Sequence, residues 1–357
     1  MAVRFLGHKD HLLSAIRDAT ESVGKIQTVG DLFCGTGAVS REFRSMGLKV
    51  TANDILLQCV TLAKAQLLVD GEPSFEQLFG HEEALKYVPI PVLFDSPYNR
   101  VLGLLNSLPG VEGFFYRNYS PGGTQHLEKP RMYFTDSNAQ KIDAVRITIR
   151  DWFANGLLDD REHSLLLKDL MYAVNDVANI AGTYGYFLSH WHDRSIFPIQ
   201  MKRSSIPTGR VDHVITNEDA NQLSRRIRVD LAYLDPPYTK RQYSSYYHIL
   251  ETIAAEDEPE ISGKSGLRHW GEKASDYCYK RRAVGALDDL VSHLDTERIF
   301  LSYSEDGHVS HDEILSILSS RGEPRFLEFI TPRFKSNLGG VKGRELRERL
   351  YMVDARR

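Results

Sequence analysis

The sequence predicts an α/β fold, a Rossmann-like sheet interrupted by a long and mainly helical insertion. Three observations carry that expectation. Residues 28–54 read as strand, glycine turn, helix and strand, with an acidic residue closing the second strand. Residues 229–238 read as a buried strand that stops abruptly at two prolines. Residues 71–210 lose this pattern and take up helical spacing. The expected division is a sheet-bearing part over 1–70 and 211–357, with an inserted domain over 71–210.

Composition sets outer bounds. The chain has 357 residues, 42% hydrophobic and 26% charged, ordinary values for a globular protein and enough for two domains. No apolar run approaches the ~18 residues of a membrane-spanning helix, and the amino-terminal stretch lacks an apolar core, so a cytoplasmic protein is expected. Cys34, Cys59 and Cys278 are far apart and form no CxxC pair, which argues against a disulfide framework and a zinc site. A net charge of −4 gives no bulk signal for nucleic acid. Local charge says more: residues 321–357 carry ten Lys/Arg against five Asp/Glu. Smaller basic knots lie at 225–228, 240–241 and 280–282. Such knots are usually solvated surface, and only those beside a site are candidates for phosphate contacts.

Arg4-Phe5-Leu6-Gly7-His8-Lys9 comes first, a short loop feeding an amphipathic helix marked by Leu12, Leu13 and Ile16. Thr28 to Phe33 is then a strand, Cys34-Gly35-Thr36-Gly37 a tight turn, and Val39, Phe43 and Met46 one face of a helix closed by Gly47. A second strand, Leu48 to Ala52, ends at Asn53-Asp54. The glycines let a ligand approach the backbone, and Asp54 suits both hydroxyls of a ribose. The turn is not a full G-x-G-x-x-G and no P-loop lysine follows, which favours a ligand without pyrophosphate. S-adenosylmethionine fits that description. The plain alternative is a glycine turn in an unrelated α/β domain.

Pro91 to Phe94 followed by Asp95-Ser96-Pro97-Tyr98 also looks like a strand ending at a site. Ser96 replaces the first proline there, and a loop rather than a helix is expected to follow, so this stretch reads as a decoy. Loops are expected through Gly110, Gly113 and Asn118 to Gly123. Ile142, Val145, Ile149, Trp152 and Phe153 then share one helix face, and Leu166, Leu170, Ala173, Val174 and Val177 another, ending near Gly182. The segment is too long for a crossover loop. Its aromatics read as core, and His190 and His192 as surface rather than metal ligands.

Strand character resumes from Val211 to Ile215 and ends at Asn217-Glu218-Asp219-Ala220, where an acid can reach an adenine amine. The strand Val229 to Leu234 follows. Asp235, left at its carboxyl end by Pro236 and Pro237, faces the ligand crevice of an open sheet. Asp235, the Pro236 carbonyl and Tyr238 together suit a flat heterocycle that bears an NH2 group. Asp235 accepts one N–H and the carbonyl the other, which localises the amine lone pair for in-line attack on a sulfonium methyl. Stacking on Tyr238 would contribute roughly 1–3 kcal/mol. The bland reading is a strand-to-turn corner with an incidental aspartate. Thr239 to Tyr243 and Tyr246-Tyr247-His248 form a polar, aromatic, basic loop, and Gly263 to Arg268 a surface loop. A helix over 284–294, a strand over 299–303, a helix near 314–318 and closing strands at 325–330 and 350–353 complete the chain, the last two flanking a basic loop, Lys335 to Arg349.

Taken together, RFLGHK, DLFCGTG, Asn53-Asp54, NYSPGG, NAQKID, NEDA, YLDPPYTKRQY with YYHILETIA, and LSYSEDG identify a resemblance over nearly the whole chain. It resembles the Dam-type adenine-N6 DNA methyltransferases, and within them the FokI-type enzymes of type II restriction–modification systems. The resemblance implies a seven-stranded mixed sheet with S-adenosylmethionine at the glycine turn, no metal, and a target-recognition domain in the insertion. It implies cofactor contacts from Phe5, Gly7, Lys9, Asp31, Phe33, Gly35, Gly37, Asp54, Asp219, Ala220 and Asp235. It places the target base on Asp235, Pro236, Pro237 and Tyr238. Lys240, Arg241, Tyr243 and Lys335 are the expected DNA contacts. Thr239 stands where relatives typically carry Asn. The expected substrate is an adenine flipped out of duplex DNA, at a cost of a few kcal/mol, and the expected partner is a cognate restriction endonuclease. Cytosine-N4 methylation, an RNA acceptor, and a catalytically silent DNA-recognition subunit are the alternatives.

Overall fold

The computed structural model describes residues 9–80, 96–209, 212–332 and 345–355. These fall into two compact units, one drawn from residues 8–63, 212–244 and 271–357, the other from 64–211 and 245–270.

The first unit holds a seven-stranded sheet. Its strands are β1 (Thr28–Asp31), β2 (Lys49–Asn53), β3 (Val214–Thr216), β4 (Arg228–Leu234), and, beyond the helical segment, β7 (Asp295–Ser304), β8 (Arg325–Pro332) and β9 (Glu345–Asp354). The two short strands between them in the chain, β5 (Ile261–Ser262) and β6 (Leu267–Arg268), belong to the other unit. The order across the sheet is β3-β2-β1-β4-β7-β9-β8. The first five run parallel, and β9 is antiparallel to both its neighbours. From β1 the chain builds outward through β2 and β3 on one side and through β4 and β7 on the other. The switch point of the sheet is therefore the seam between β1 and β4, where open α/β sheets bind ligands.

Local chemistry fixes that seam. Asp230 Oδ2 accepts hydrogen bonds from the Gln27 and Thr28 amides at 2.8 and 2.9 Å, and the Asp230 amide donates to Thr28 Oγ1 at 2.9 Å. This local lock sets Asp31 opposite Tyr233. The central parallel strands β1 and β4 are largely buried on both faces. Helices Ala283–His293 and His311–Ser319 bury Leu287, Leu290, Val291, Ile314 and Leu318 against Leu234, Ile299, Leu301 and Val353. Asn53 ties the strand ends together. Its Nδ2 donates to the Leu32 and Glu218 carbonyls at 3.1 and 3.0 Å, and its Oδ1 accepts from Thr216 Oγ1 at 2.8 Å and the Glu218 amide at 3.2 Å. Replacing Asn53 with Ala strands these buried groups, and denaturant titration should register a loss of about 2–4 kcal/mol.

The second unit is mainly helical. Helices Asp136–Ala154 and Asp160–Val177 start at side-chain caps, Thr135 and Asp159. Ile142, Val145 and Ile149 are buried as their spacing predicts, while Phe153 at the end of that face stays 39% exposed. Two expected loops are helices instead, Pro97–Ser107 and Phe114–Tyr119. Ser96 caps the first, with Pro97 in its opening turn, and burial of Val101, Leu102, Leu104 and Leu105 outweighs the Gly and Asn content. Tyr98, the aromatic of the decoy, is buried in this unit with its hydroxyl donating to Asp169. Asp95 lies outside the described residues. Residues 263–268 are likewise no open loop: they close the β5–β6 hairpin. Arg131 donates to the Lys264 and Gly263 carbonyls. That hairpin, with helix His248–Ala255, explains why 245–270 packs with the helical unit, although the sequence reading drew 211–357 as one piece. Buried His248 donates Nε2 to the Tyr184 carbonyl at 3.0 Å, and burial pushes its pKa down to about 3. The histidine of the YYH motif is thus a neutral core residue.

Candidate active site

The sheet unit brings the predicted residues to one end of its parallel strands. Gly35 and Gly37 leave β1 with φ of 52° and 76°, a left-handed turn that side chains disfavour. The Gly35 amide donates to Asp54 Oδ2 at 3.0 Å, and Asp54 Oδ1 accepts from the Leu56 amide at 2.9 Å. Asp54 is thereby held rigid at the end of β2. Each carboxylate oxygen has a second lone pair, so it can still accept from a diol. Asp219, exposed after β3, caps the helix Ala220–Ser224 through Oδ1, which accepts from the Asn221 and Gln222 amides. Ala220 is buried beneath it. Phe33 is half-buried, its ring edge-on to Tyr277 at 5.3 Å.

Asp31 carries the sharpest signal for a bound ligand. It is buried, and Oδ2 accepts from Ser40 Oγ at 2.6 Å. Its other oxygen, Oδ1, is buried with no hydrogen-bond partner. Burial, with Asp235 and Asp54 nearby, pushes its carboxyl up to about 7 against the Ser40 hydrogen bond and the nearby Phe33 amide. A buried acceptor without a donor is costly unless a ligand supplies one. An ammonium group would satisfy it. This set of acceptors therefore fits a ligand with an amino group, a ribose diol and an adenine amine.

Asp235 follows β4 directly. Its Oδ1 lies 3.0 Å from Lys9 Nζ, and Lys9 Nζ also lies 2.8 Å from Glu348 Oε1 on β9. Burial pushes the Asp235 carboxyl up to about 6, with Lys9 opposing and Glu348 adding to the rise. Lys9 Nζ therefore sits between the two carboxylates. Pro236 is buried, and Pro237 and Tyr238 are half-buried. The Tyr238 ring leans on Tyr303 at 5.6 Å, and its carbonyl accepts from the His308 amide at 2.9 Å. The LSYSEDG segment thus props the aromatic rim of the site. Lys240 and Arg241 are exposed in the next loop, and Tyr243 is half-buried. Gln242 exchanges two hydrogen bonds with the Ser275 backbone, at 3.1 and 2.9 Å, and anchors that loop.

Phe5, Gly7 and Lys335 lie outside the described residues. Sequence reasoning missed Glu348, Tyr277, Tyr303 and the pinning role of Asn53. Asn53 carried a signal, a polar residue at a strand end beside the predicted ribose acid, and Tyr303 lies in the LSYSEDG stretch. Among the described residues, no group of three or more His, Cys, Asp or Glu side chains could hold a metal, and no helix is long and apolar enough to cross a membrane.

Comparison with known proteins bears on this arrangement. A family model described as D12 class N6 adenine-specific DNA methyltransferase matches residues 5–317. The type II methyltransferase M.FokI of Planomicrobium okeanokoites is 37% identical over 326 residues, 90% of this chain and 47% of that protein. Modification methylase StsI of Streptococcus sanguinis is 32% identical, over 88% of this chain and 46% of its own length. The type II methyltransferase M.NlaIII of Neisseria lactamica is 32% identical over 86% of this chain and 84% of its own. The chain spans about half the length of the first two of these relatives.

Proposed function

Because the chain belongs to the D12 class N6 adenine-specific DNA methyltransferase family, we propose that it moves a methyl group from S-adenosylmethionine to the N6 amine of a flipped adenine in duplex DNA. The observation that carries this reading is the seam between β1 and β4. The glycine turn and Asp235 leave adjacent parallel strands at the same end, Gly35 four residues beyond Asp31 and Asp235 two residues beyond its partner Tyr233. Donor and acceptor pockets are then neighbours, which proximity catalysis requires.

Asp31 would hold the amino group of the cofactor through its unpartnered Oδ1, Asp54 the ribose, and Asp219 Oδ2 the adenine amine. When bound, the cofactor supplies a methyl on a sulfonium sulfur. Asp235 receives the target amine. Its Oδ1 is engaged by Lys9, so Oδ2 accepts one N6–H while the Pro236 carbonyl accepts the other. With its N–H bonds held off the ring plane, the amine lone pair would be localised on nitrogen and aimed at the methyl group that a bound cofactor would supply. The surplus N6 proton then leaves to Asp235 or to water. Tyr238, braced by Tyr303, would stack on the base, and Lys240, Arg241 and Tyr243 would meet the DNA backbone. The helical unit would read the recognition sequence in the grooves. The role is that of a modification enzyme, working in the cytoplasm beside a restriction endonuclease.

The test is chemical. Duplex DNA incubated with the chain and labelled S-adenosylmethionine should yield labelled N6-methyl-2′-deoxyadenosine on digestion to nucleosides. Label in N4-methylcytosine instead would transfer the mechanism to cytosine, which presents the same kind of amine. Cofactor binding without any labelled nucleoside would leave a recognition subunit.

A further inference from the structure

We infer that Glu348 is a positioning residue for Asp235, acting through Lys9, an assignment that rests on the adenine-N6 reading above. Lys9 and Glu348 side chains are 3% and 7% exposed, and Lys9 Nζ bridges Glu348 Oε1 and Asp235 Oδ1. His11 Nε2 takes the other Glu348 oxygen at 3.0 Å. Asp235, at 16%, is the most open of the three. The Lys9 ammonium also lies 5.6 Å from the centre of the Tyr238 ring, the expected base platform.

Charge counting gives the bridge its purpose. Among Lys9, Asp235 and Glu348, two carboxylates share one ammonium, which leaves one negative charge on these three groups. Glu348 is deeper and further paired by His11, so Lys9 is balanced on its inner side and the surplus charge stays on Asp235. Methyl transfer places positive charge on N6 as the N–C bond forms, and a carboxylate that is not neutralised by its neighbour is the better acceptor. Without Glu348, Lys9 would close on Asp235 alone. A buried ion pair is weak evidence for a stability role, since desolvation offsets its attraction.

The protonation tendencies agree. Burial alone would raise the Glu348 carboxyl, yet His11 and Lys9 hold it down at about 2. Burial would lower the Lys9 ammonium, but Asp235 and Glu348 hold it well above its usual range. Among the described residues, the groups facing Asp235 include Lys9 and His11 from the amino-terminal segment, Glu348 from β9, Asp31 from β1, and Tyr233 and Tyr238 beside it.

The experiment compares wild type, Glu348→Gln, Glu348→Asp and Lys9→Met. Methylation of an adenine-containing duplex is followed from about pH 5 to 9 with saturating S-adenosylmethionine. Glu348→Gln should lower kcat about 10- to 100-fold, leave KM for DNA and cofactor within about threefold, and move the acid limb to lower pH. Lys9→Met should move that limb the opposite way, because two carboxylates then face each other. Glu348→Asp should restore most of kcat and the wild-type limb. Wild-type kcat and limb in Glu348→Gln, limb shifts of one sign in both variants, or failure of both to fold would overturn the assignment. A wild-type chain that methylates no adenine would defeat the functional reading itself, a distinguishable result.

Discussion

Asp235→Ala is expected to lower the rate of methyl transfer at least ~1,000-fold, about 4 kcal/mol of transition-state stabilisation, while cofactor affinity stays within about threefold. The size follows from what the side chain does. Adenine N6 is a poor nucleophile because its lone pair is delocalised into the ring. Asp235 Oδ2 is placed to hold one N–H out of that plane and to carry negative charge where positive charge develops. Removing a single aimed dipole from such a site typically costs about 100- to 1,000-fold, and here the dipole and the geometry go together. The fold should survive, because Lys9 keeps Glu348 at 2.8 Å when Asp235 is gone. Asp235→Asn keeps a carbonyl acceptor but loses the charge, so an intermediate loss of about 100-fold is expected. Single-turnover transfer of labelled methyl to a duplex measures both. An alanine variant that keeps a tenth of the wild-type rate would remove Asp235 from this role.

The parts of this site that the sequence announced are those fixed by short-range chemistry. Two prolines end a strand wherever they occur, so Asp235 was legible as a strand-end acid. Gly35 and Gly37 demand a left-handed turn, so the cofactor end of β1 was legible as well. Glu348 was not. In the run Arg347-Glu348-Arg349 it reads as a solvated charge, and its partner Lys9 lies at the far end of the chain. Only the placement of β9 against β7, with Glu348 opposite Ser304, carries it toward Asp235. Tyr303 and Tyr277 were hidden for the same reason, since each acts through a ring contact made across elements. In the helical unit the failures ran the other way. A loop is expected after Tyr98, but four buried apolar side chains on one helix outweigh the weak local preferences of its Gly and Asn residues. Asn106 in fact bridges to the Met201 backbone through both ends of its amide, a use of Asn that local patterning does not reveal.

Asp31→Asn should separate binding from stability in opposite directions. The folded carboxyl is pushed up to about 7 by burial, whereas in the unfolded chain it titrates near the ordinary 3.8. A folded-state pKa above the unfolded one adds stability at low pH, and that contribution is lost as pH rises toward about 7. The ligand-free protein thus strains against an ionised Asp31 at neutral pH, with Asp235 and Asp54 adding repulsion. An asparagine keeps an acceptor for Ser40 Oγ and removes the charge. The unliganded variant should therefore melt about 2–5 °C above wild type at pH 8, and the gap should narrow toward pH 5. Binding should suffer by the same logic, since the cofactor ammonium loses its buried counter-charge. A loss of about 2–4 kcal/mol, roughly 30- to 1,000-fold in Kd, is expected for S-adenosylhomocysteine by calorimetry. The control is 5′-methylthioadenosine, which keeps the nucleoside and lacks the amino-acid tail. It should bind wild type and variant alike, and its wild-type affinity should not show the rise with pH that S-adenosylhomocysteine shows as Asp31 ionises. Equal weakening of both ligands, or a variant that melts below wild type at every pH, would mean that Asp31 holds the turn together rather than the ammonium.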